Sequence, residues 1–430
     1  MQRFLPSQTA LVLGGGGAKG AYEVGVMEAL DRLGIRAGSV YGTSIGSLNA
    51  AMYALGDISA IKALWETIRL SDVVTPESVA LAEEAETIFT RPDKLLDFIT
   101  RNAQKKGVDP TPLFELMKSA IDEDRLRSSG VRFGLVTTRF PSLTMVEKRL
   151  EDMPKGTVHD YLMASCACFP ALPMRAIAGE RYLDGGFSDN VPVEMAIRQG
   201  ARHIIAVDIG RHRAHEQYDR RPNVTYIRAS HPLGGLLTFD QARTRRNMAL
   251  GYNDALRAFG RLRGTRYSFD PIDAQRLASA AQDFVCRLTA YEAGMGGRSS
   301  APLFGLLEES LRPGADAIDY LLRACELCAE TLGIDPARVY TFDAFKGELA
   351  ANLPLEQARA MAGSLLGGRI GVLFAPPQPD RRLVLACLVL LLRREGSFSA
   401  LAMHTLTAFP RELLCALTLK EILGAQGSSS

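Results

Sequence analysis

No uncharged apolar run in the 430 residues is longer than the ten of Leu383–Leu392, whereas a membrane-spanning helix needs about 20. Met1–Ala10 lacks the basic start, the long apolar segment and the small-residue cleavage site of a secretory leader. The expectation is a soluble, cytoplasmic chain, with peripheral attachment to membranes and signal-independent export both left open. An excess of one charge is lacking too. Fifty Lys and Arg against 48 Asp and Glu leave a formal net charge of +2, which gives no general attraction to nucleic acid. Seven cysteines, an odd number, lie mostly in apolar, helical-looking segments and read as buried free thiols of a reducing compartment. Cys325 and Cys328 form a C-x-x-C pair, but no second pair completes a zinc set. Core packing is their expected role, and neither metal nor cofactor is expected. There is no internal repeat, and the one low-complexity stretch is Gly427–Ser430.

What the chain does contain is an alternation of strand and helix patterns. Thr9–Leu13 reads as a buried strand running into Gly14–Gly20, and apolar spacing from Ala21 to Leu33 reads as a helix stopped by Gly34. Ser39–Tyr41 is a second strand, leading through Gly42-Thr43-Ser44-Ile45-Gly46 into a small-residue helix over Leu48–Leu55. Residues 56–130 read as a helical insertion with apolar clusters at Ile61, Leu64, Trp65 and at Leu113, Phe114, Leu116, Met117, a possible cover for a site. Strand patterns return at Val131–Thr138 and Leu143–Val146. A helix at Asp160–Cys166 follows, then a proline-rich turn and the short strand Arg181–Leu183, which ends on Asp184-Gly185-Gly186. A helix at Pro192–Arg198, strands at His203–Asp208 and Val224–Arg228, and a helix at Phe239–Leu262 complete a parallel α/β layering. From Asp270 the spacing is helical almost throughout, except for the strand-like Ile370–Phe374. Two regions are therefore expected, 1–264 and a mostly helical 265–430 to which no chemistry can be assigned.

Gly42-x-Ser44-x-Gly46 has the form of a tight strand-to-helix turn that lifts a serine hydroxyl out of a sheet, with glycines where neighbouring backbone leaves no room for a side chain. The preceding glycine loop is not a phosphate loop, because Lys19 lies between Ala18 and Gly20 instead of between Gly and Ser or Thr. Gly15, Gly17 and Gly20 fit the dinucleotide pattern G-x-G-x-x-G, but the next strand ends in Gly42-Thr43-Ser44 instead of an acidic residue for a ribose. A third reading is an oxyanion hole made of backbone amides around Gly15, Gly16, Gly17 and Ala18 at a helix N-terminus. Such donors are worth about 3–4 kcal/mol each. An α/β-hydrolase triad would recruit His203, His212, His215 or His231, but that fold places several strands before its nucleophile and here only one strand and one helix come first. Asp184 remains as a lone base, and it needs burial to take a serine proton well. Taken singly, Ser44 fits a helix cap and Asp184 a turn; taken together with the glycine loop, they fit a nucleophile and its base.

Gly15–Gly20, Gly42–Gly46 and Asp184–Gly186, in this order and near the start, resemble the signature of the patatin-like phospholipases. The segments Ala164–Pro170 and Leu250–Ala255 resemble stretches common in that family, so the likeness spans roughly residues 9–260. It implies an α/β fold, a three-layer sandwich around a mainly parallel sheet, and a metal-independent Ser-Asp dyad cleaving acyl esters of lipids. By position, Ser44 is the implied nucleophile, Asp184 the base and Gly15–Ala18 the oxyanion hole. Lys19, Gly20, Gly42, Gly46, Gly185 and Gly186 are the implied supporting positions. The implied partner is a lipid or phospholipid at a membrane surface. Residues Leu95, Leu96, Asp97, Phe98 and Ile99 and the run Leu383–Leu392 are candidates for lipid contact, with core packing the preferred role, and Arg211, Arg213, Arg220 and Arg221 are candidates for anionic headgroups, with a solvated loop preferred; no membrane residue is assigned. The competing expectations are a catalytically idle lipid-binding or scaffold protein on the same fold, and a dinucleotide-binding protein.

Overall fold

The computed structural model describes residues 4–88, 108–210, 216–218, 221–270, 274–294, 303–365, 380–395 and 408–424. The Leu95–Ile99 run, Arg211, His212, Arg213, His215, Arg220, Ile370–Phe374 and Gly427–Ser430 lie outside the described residues. The chain divides into two compact units, residues 1–259 and 260–430.

The first unit is built on an eight-stranded, mostly parallel sheet. β1 (Thr9–Leu13) pairs in parallel with β2 (Ser39–Thr43) on one side and with β7 (His203–Asp208) on the other. Outside these, β2 pairs in parallel with β3 (Arg132–Phe140), and β7 with β8 (Val224–Arg228). Every residue of β1 and β2 is buried, which is why β1 reads as an apolar run instead of an alternating one. The antiparallel strands gather around β3: β4 (Thr144–Arg149) and β6 (Glu180–Asp184) pair with it, and β5 (Arg175–Ile177) pairs with β6. The three-residue β5 has no sequence signal, being too short to show a period.

β4 occupies one edge of β3 from Gly134 to Arg139. The other edge is shared, since β2 covers Arg132–Val136 and β6 covers Thr137–Phe140. β2 and β6 therefore approach one another end to end along that edge.

Steps from β1 through helix α1 (Ala21–Arg32) to β2, and through α2 (Ile45–Ala54) to β3, run one way across the sheet. The return from β6 through Val193–Arg198 to β7 runs the other way. Right-handed crossovers put α1 and α2 on one face, and Val193–Arg198, which follows the antiparallel β6, packs on the other, giving three layers. On the second face Val193, Met195 and Ala196 close over Ala10, Val12, Tyr41, Val136 and Ala206 in one buried cluster. Helices α3 (Ile58–Thr67), α4 (Val79–Ile88), Thr111–Ala120 and Glu123–Ser128 make up the described part of the insertion, which contains no strand among the described residues.

Among the described residues the second unit is helical apart from the two-residue parallel pair β9 (Ser268–Phe269) and β10 (Val339–Tyr340). Its core includes Cys325, Cys328, Cys387 and Cys415. Cys286 is instead exposed, because on its helix Phe284 and Leu288 hold the inward stripe and position 286 faces away. Val384 to Val389 of the Leu383–Leu392 run are buried in this core, the role preferred for it from sequence. Among the described residues no helix is long and apolar enough to cross a membrane.

Candidate active site

The end-to-end meeting of β2 and β6 brings Ser44 and Asp184 together. Thr43 ends β2 opposite Val136 and Asp184 ends β6 opposite Thr137, so the residue after β2 faces the last residue of β6. Ser44 has φ 54° and ψ −129°, a left-handed conformation that costs a non-glycine residue about 1–3 kcal/mol. The surroundings fix it there: its N–H donates to Ser165 Oγ at 2.8 Å, Ser165 Oγ donates to the Val136 carbonyl at 2.7 Å, and Ser47 Oγ donates to the Ser44 carbonyl at 2.6 Å. The glycines on either side are required by contact. A Cβ at Gly42 would lie 2.2 Å from the Gly46 carbonyl oxygen, and one at Gly46 would lie 2.4 Å from that of Leu13.

Asp184 is 4% exposed. Burial raises its pKa to about 6, against the opposing pull of hydrogen bonds from the Ser44 hydroxyl and from the Gly186 N–H, the latter at 2.7 Å. At that value the carboxyl is a much better proton acceptor than an ordinary aspartate and is still mostly ionised at neutral pH. Gly185 fits because Val136 O and Thr43 lie against it, and Gly186 supplies the N–H just named. Cys166 and Cys168 flank the carboxylate, and burial together with its charge pushes both thiols well above their usual range. They remain neutral beside the serine.

The glycine loop lies against the same site. The Gly15 N–H donates to the Asn190 carbonyl at 3.1 Å and the Ala18 N–H to the Leu236 carbonyl at 2.7 Å. Among the described residues the N–H groups of Gly16 and Gly17 have no such acceptor, and both residues line the cavity above Ser44. Of the four amides from Gly15 to Ala18, tertiary carbonyls thus occupy two. Gly17 has φ 57°, and a Cβ there would meet the Leu236 carbonyl oxygen at 2.2 Å. Lys19 is buried and borders the cavity, while Gly20 packs against Ile45 and Trp65.

Sequence reasoning missed three contributors. The Asn190 amide donates to the Gly15 carbonyl at 3.2 Å, tying the glycine loop to the turn after Asp184. Ser165 orients the elbow as described, and Glu86 accepts the Leu236 N–H, fastening the segment whose carbonyl holds Ala18. Single polar residues of this kind carry no local signal. Of the formal histidine candidates, His203 starts β7 and His231 follows β8, and neither borders the cavity.

The cavity over Ser44 and Asp184 has a volume of about 390 Å³. The insertion supplies much of its apolar wall, through Leu64, Trp65, Ile68, Leu113, Leu116 and Met117. Trp65 is held in place by a hydrogen bond to Asn49 Oδ1 at 2.9 Å and by stacking on Phe239.

The family model described as Patatin-like phospholipase matches residues 11–197. That segment belongs to the patatin-like phospholipase family. The patatin-like segment contains the glycine loop, the elbow and Asp184–Gly186. Relatives include "Lysophospholipase NTE1" of Scheffersomyces stipitis, 31% identical over 200 residues that make up 46% of this chain and 12% of that protein. The "Patatin-like phospholipase domain-containing protein ZK370.4" of Caenorhabditis elegans is 31% identical over 208 residues, 46% of this chain and 13% of that one. The patatin-like match thus spans about an eighth of the length of these relatives. Among solved structures, VipD from Legionella pneumophila aligns over 99% of this chain and 93% of its own, with a TM-score of 0.40 and 15% identity.

Proposed function

We propose that this chain is a serine lipid acyl hydrolase, an esterase of the phospholipase A or lysophospholipase type, and that residues 1–264 form its catalytic domain. The observation that carries this reading is the Ser44 hydroxyl, held in a strained elbow and hydrogen-bonded to a buried carboxyl with a pKa of about 6, facing a cavity with an apolar wall. Asp184 takes the hydroxyl proton as Ser44 Oγ attacks an ester carbonyl. The oxyanion that forms is met by the N–H groups of Gly16 and Gly17. The proton then passes to the departing alcohol, leaving an acyl-enzyme, and a water activated by Asp184 releases the fatty acid. An acyl chain fits the apolar wall supplied by the insertion, and burying its methylenes stabilises binding by about 0.8 kcal/mol each.

The test is labelling with a fluorophosphonate, with Ser44→Ala alongside, and location of the adduct by mass spectrometry. Modification of Ser44 alone, accompanied by hydrolysis of acyl esters that Ser44→Ala loses, is the expected result. Silence both in solution and with phospholipid vesicles would overturn the reading in favour of an idle lipid-binding protein on this fold.

A further inference from the structure

Of the five large apolar side chains that the described residues leave exposed, three belong to the end of the sheet that carries Asp184: Leu143 at 57%, Met145 at 40% and Phe187 at 51%. Strand β3 continues beyond the level of Ser44 and Asp184, from Thr137 to Phe140, a distance of about 10 Å at 3.3 Å per residue. It then turns at Pro141–Leu143 into β4. Met145 pairs with Thr138, and directly paired residues of an antiparallel ladder share a face. The Thr138 hydroxyl is hydrogen-bonded to Ser188 Oγ at 2.8 Å, next in sequence to Phe187. The Thr138–Ser188 contact joins the turn that carries Phe187 to this part of β3, and Phe187 also lines the cavity. Leu143 has φ 53°, a costly conformation for a bulky residue, and it gains no burial in return. Packing within this chain accounts for none of the three.

The charges around the tip are net positive. Arg181 lies over the Phe140 ring at 4.8 Å and has no ion-pair partner among the described residues, while Arg139 pairs with Glu180 at 3.1 Å. Two arginines with one glutamate at the base of an apolar tip match a layer with anionic headgroups outside and acyl chains within.

We propose that the β3–β4 hairpin tip and Phe187 form the surface by which this protein docks on an anionic lipid layer. The proposal rests on the hydrolase reading for its purpose but not for its test. Leu143 and Met145 enter the acyl boundary, and Arg139 and Arg181 stay at the headgroups. Phe187 continues the apolar path into the cavity, so that a lipid reaches Ser44 without crossing water.

The experiment is co-sedimentation of the full chain carrying Ser44→Ala with vesicles of phosphatidylcholine containing phosphatidylglycerol, and with phosphatidylcholine alone. Adding Leu143→Ser and Met145→Ser together should lower partitioning about tenfold or more. Arg181→Gln should lower it on the anionic vesicles only. In the chain with Ser44 intact, the tip substitutions should leave turnover of a soluble short-chain ester unchanged and slow turnover of vesicle lipid. Absent binding by the parent, or equal binding by the tip variant, would overturn the proposal, as would an equal loss on soluble and vesicle substrates. A dimer of the parent that the tip substitutions split would assign the tip to a second copy instead. Because sedimentation needs no turnover, a chain that binds vesicles and hydrolyses nothing would overturn the hydrolase reading alone.

Discussion

Each unit buries a carboxylate, and the two are treated in opposite ways. Glu326, in the second unit, is fully buried and saturated with donors: it accepts the N–H groups of Thr265 at 2.7 Å, Arg266 at 3.0 Å and Tyr267 at 3.1 Å. The Thr265 hydroxyl and the Arg323 guanidinium, the latter at 3.2 Å, complete the set. Asp184, in the first unit, has one backbone N–H at 2.7 Å and the Ser44 hydroxyl. A carboxylate surrounded by fixed donors ties chain segments together. One that is buried with few donors sits higher in free energy when ionised, and that excess is what a base delivers on accepting a proton.

The comparison can be broken by removing each charge in turn. Asp184→Asn is expected to have the largest effect, a fall in ester turnover of about 10³-fold or more with the fold retained. The intact enzyme sharpens the point through pH: kcat/KM should rise as pH increases through about 6 and then level off, because the base must be ionised. Stability should run the other way. A carboxyl whose folded pKa is raised from 3.8 to about 6 favours the fold fully below the lower value, and that contribution is lost as pH rises through the upper one. The loss is on the order of 3 kcal/mol, so Asp184→Asn should melt higher than the parent at neutral pH. A lower melting temperature would mean that the carboxylate is structural, like Glu326.

Gly17→Ala should come next. The left-handed φ and the Leu236 carbonyl oxygen 2.2 Å from the new Cβ force the loop to move, and on the proposed mechanism the loss of one oxyanion donor lowers kcat by about 10²–10³-fold. Covalent labelling of Ser44 should slow with it, since that step builds the same charge. Glu326→Gln should have the smallest effect on catalysis. It turns an amide NH2 toward donors and costs about 1–3 kcal/mol, read as a lower melting temperature, while ester turnover at 25 °C stays within about twofold of the parent. Turnover falling as far as in Asp184→Asn would erase the distinction between the two groups.

Features fixed by local sterics were legible in the sequence. Gly42 and Gly46 stand where backbone oxygens exclude a Cβ, and such requirements leave a pattern within five residues. His203–Asp208 and Val224–Arg228 are strands, as their apolar runs predict. What could not be read depends on separate segments meeting. Nothing in Arg181–Leu183 says that its strand shares an edge of β3 with β2. The engagement of the Gly15 and Ala18 amides by Asn190 and Leu236 is equally invisible, because any residue provides a carbonyl. The Leu383–Leu392 run is apolar for the ordinary reason that it lies in a core, and composition alone does not separate that from a lipid-facing surface.

The shared edge of β3 has a kinetic consequence. Helices α1 and α2 and the Ser44 turn are local structures that can form early, whereas the β6 contact with β3 joins distant parts of the chain and must await closure of a long loop. Until that contact forms, Ser44 has its turn but not its neighbour Asp184. On the proposed reading, a newly synthesised chain therefore passes through a stage in which its serine turn exists without a partner carboxylate, so closure of the sheet sets when its chemistry can begin.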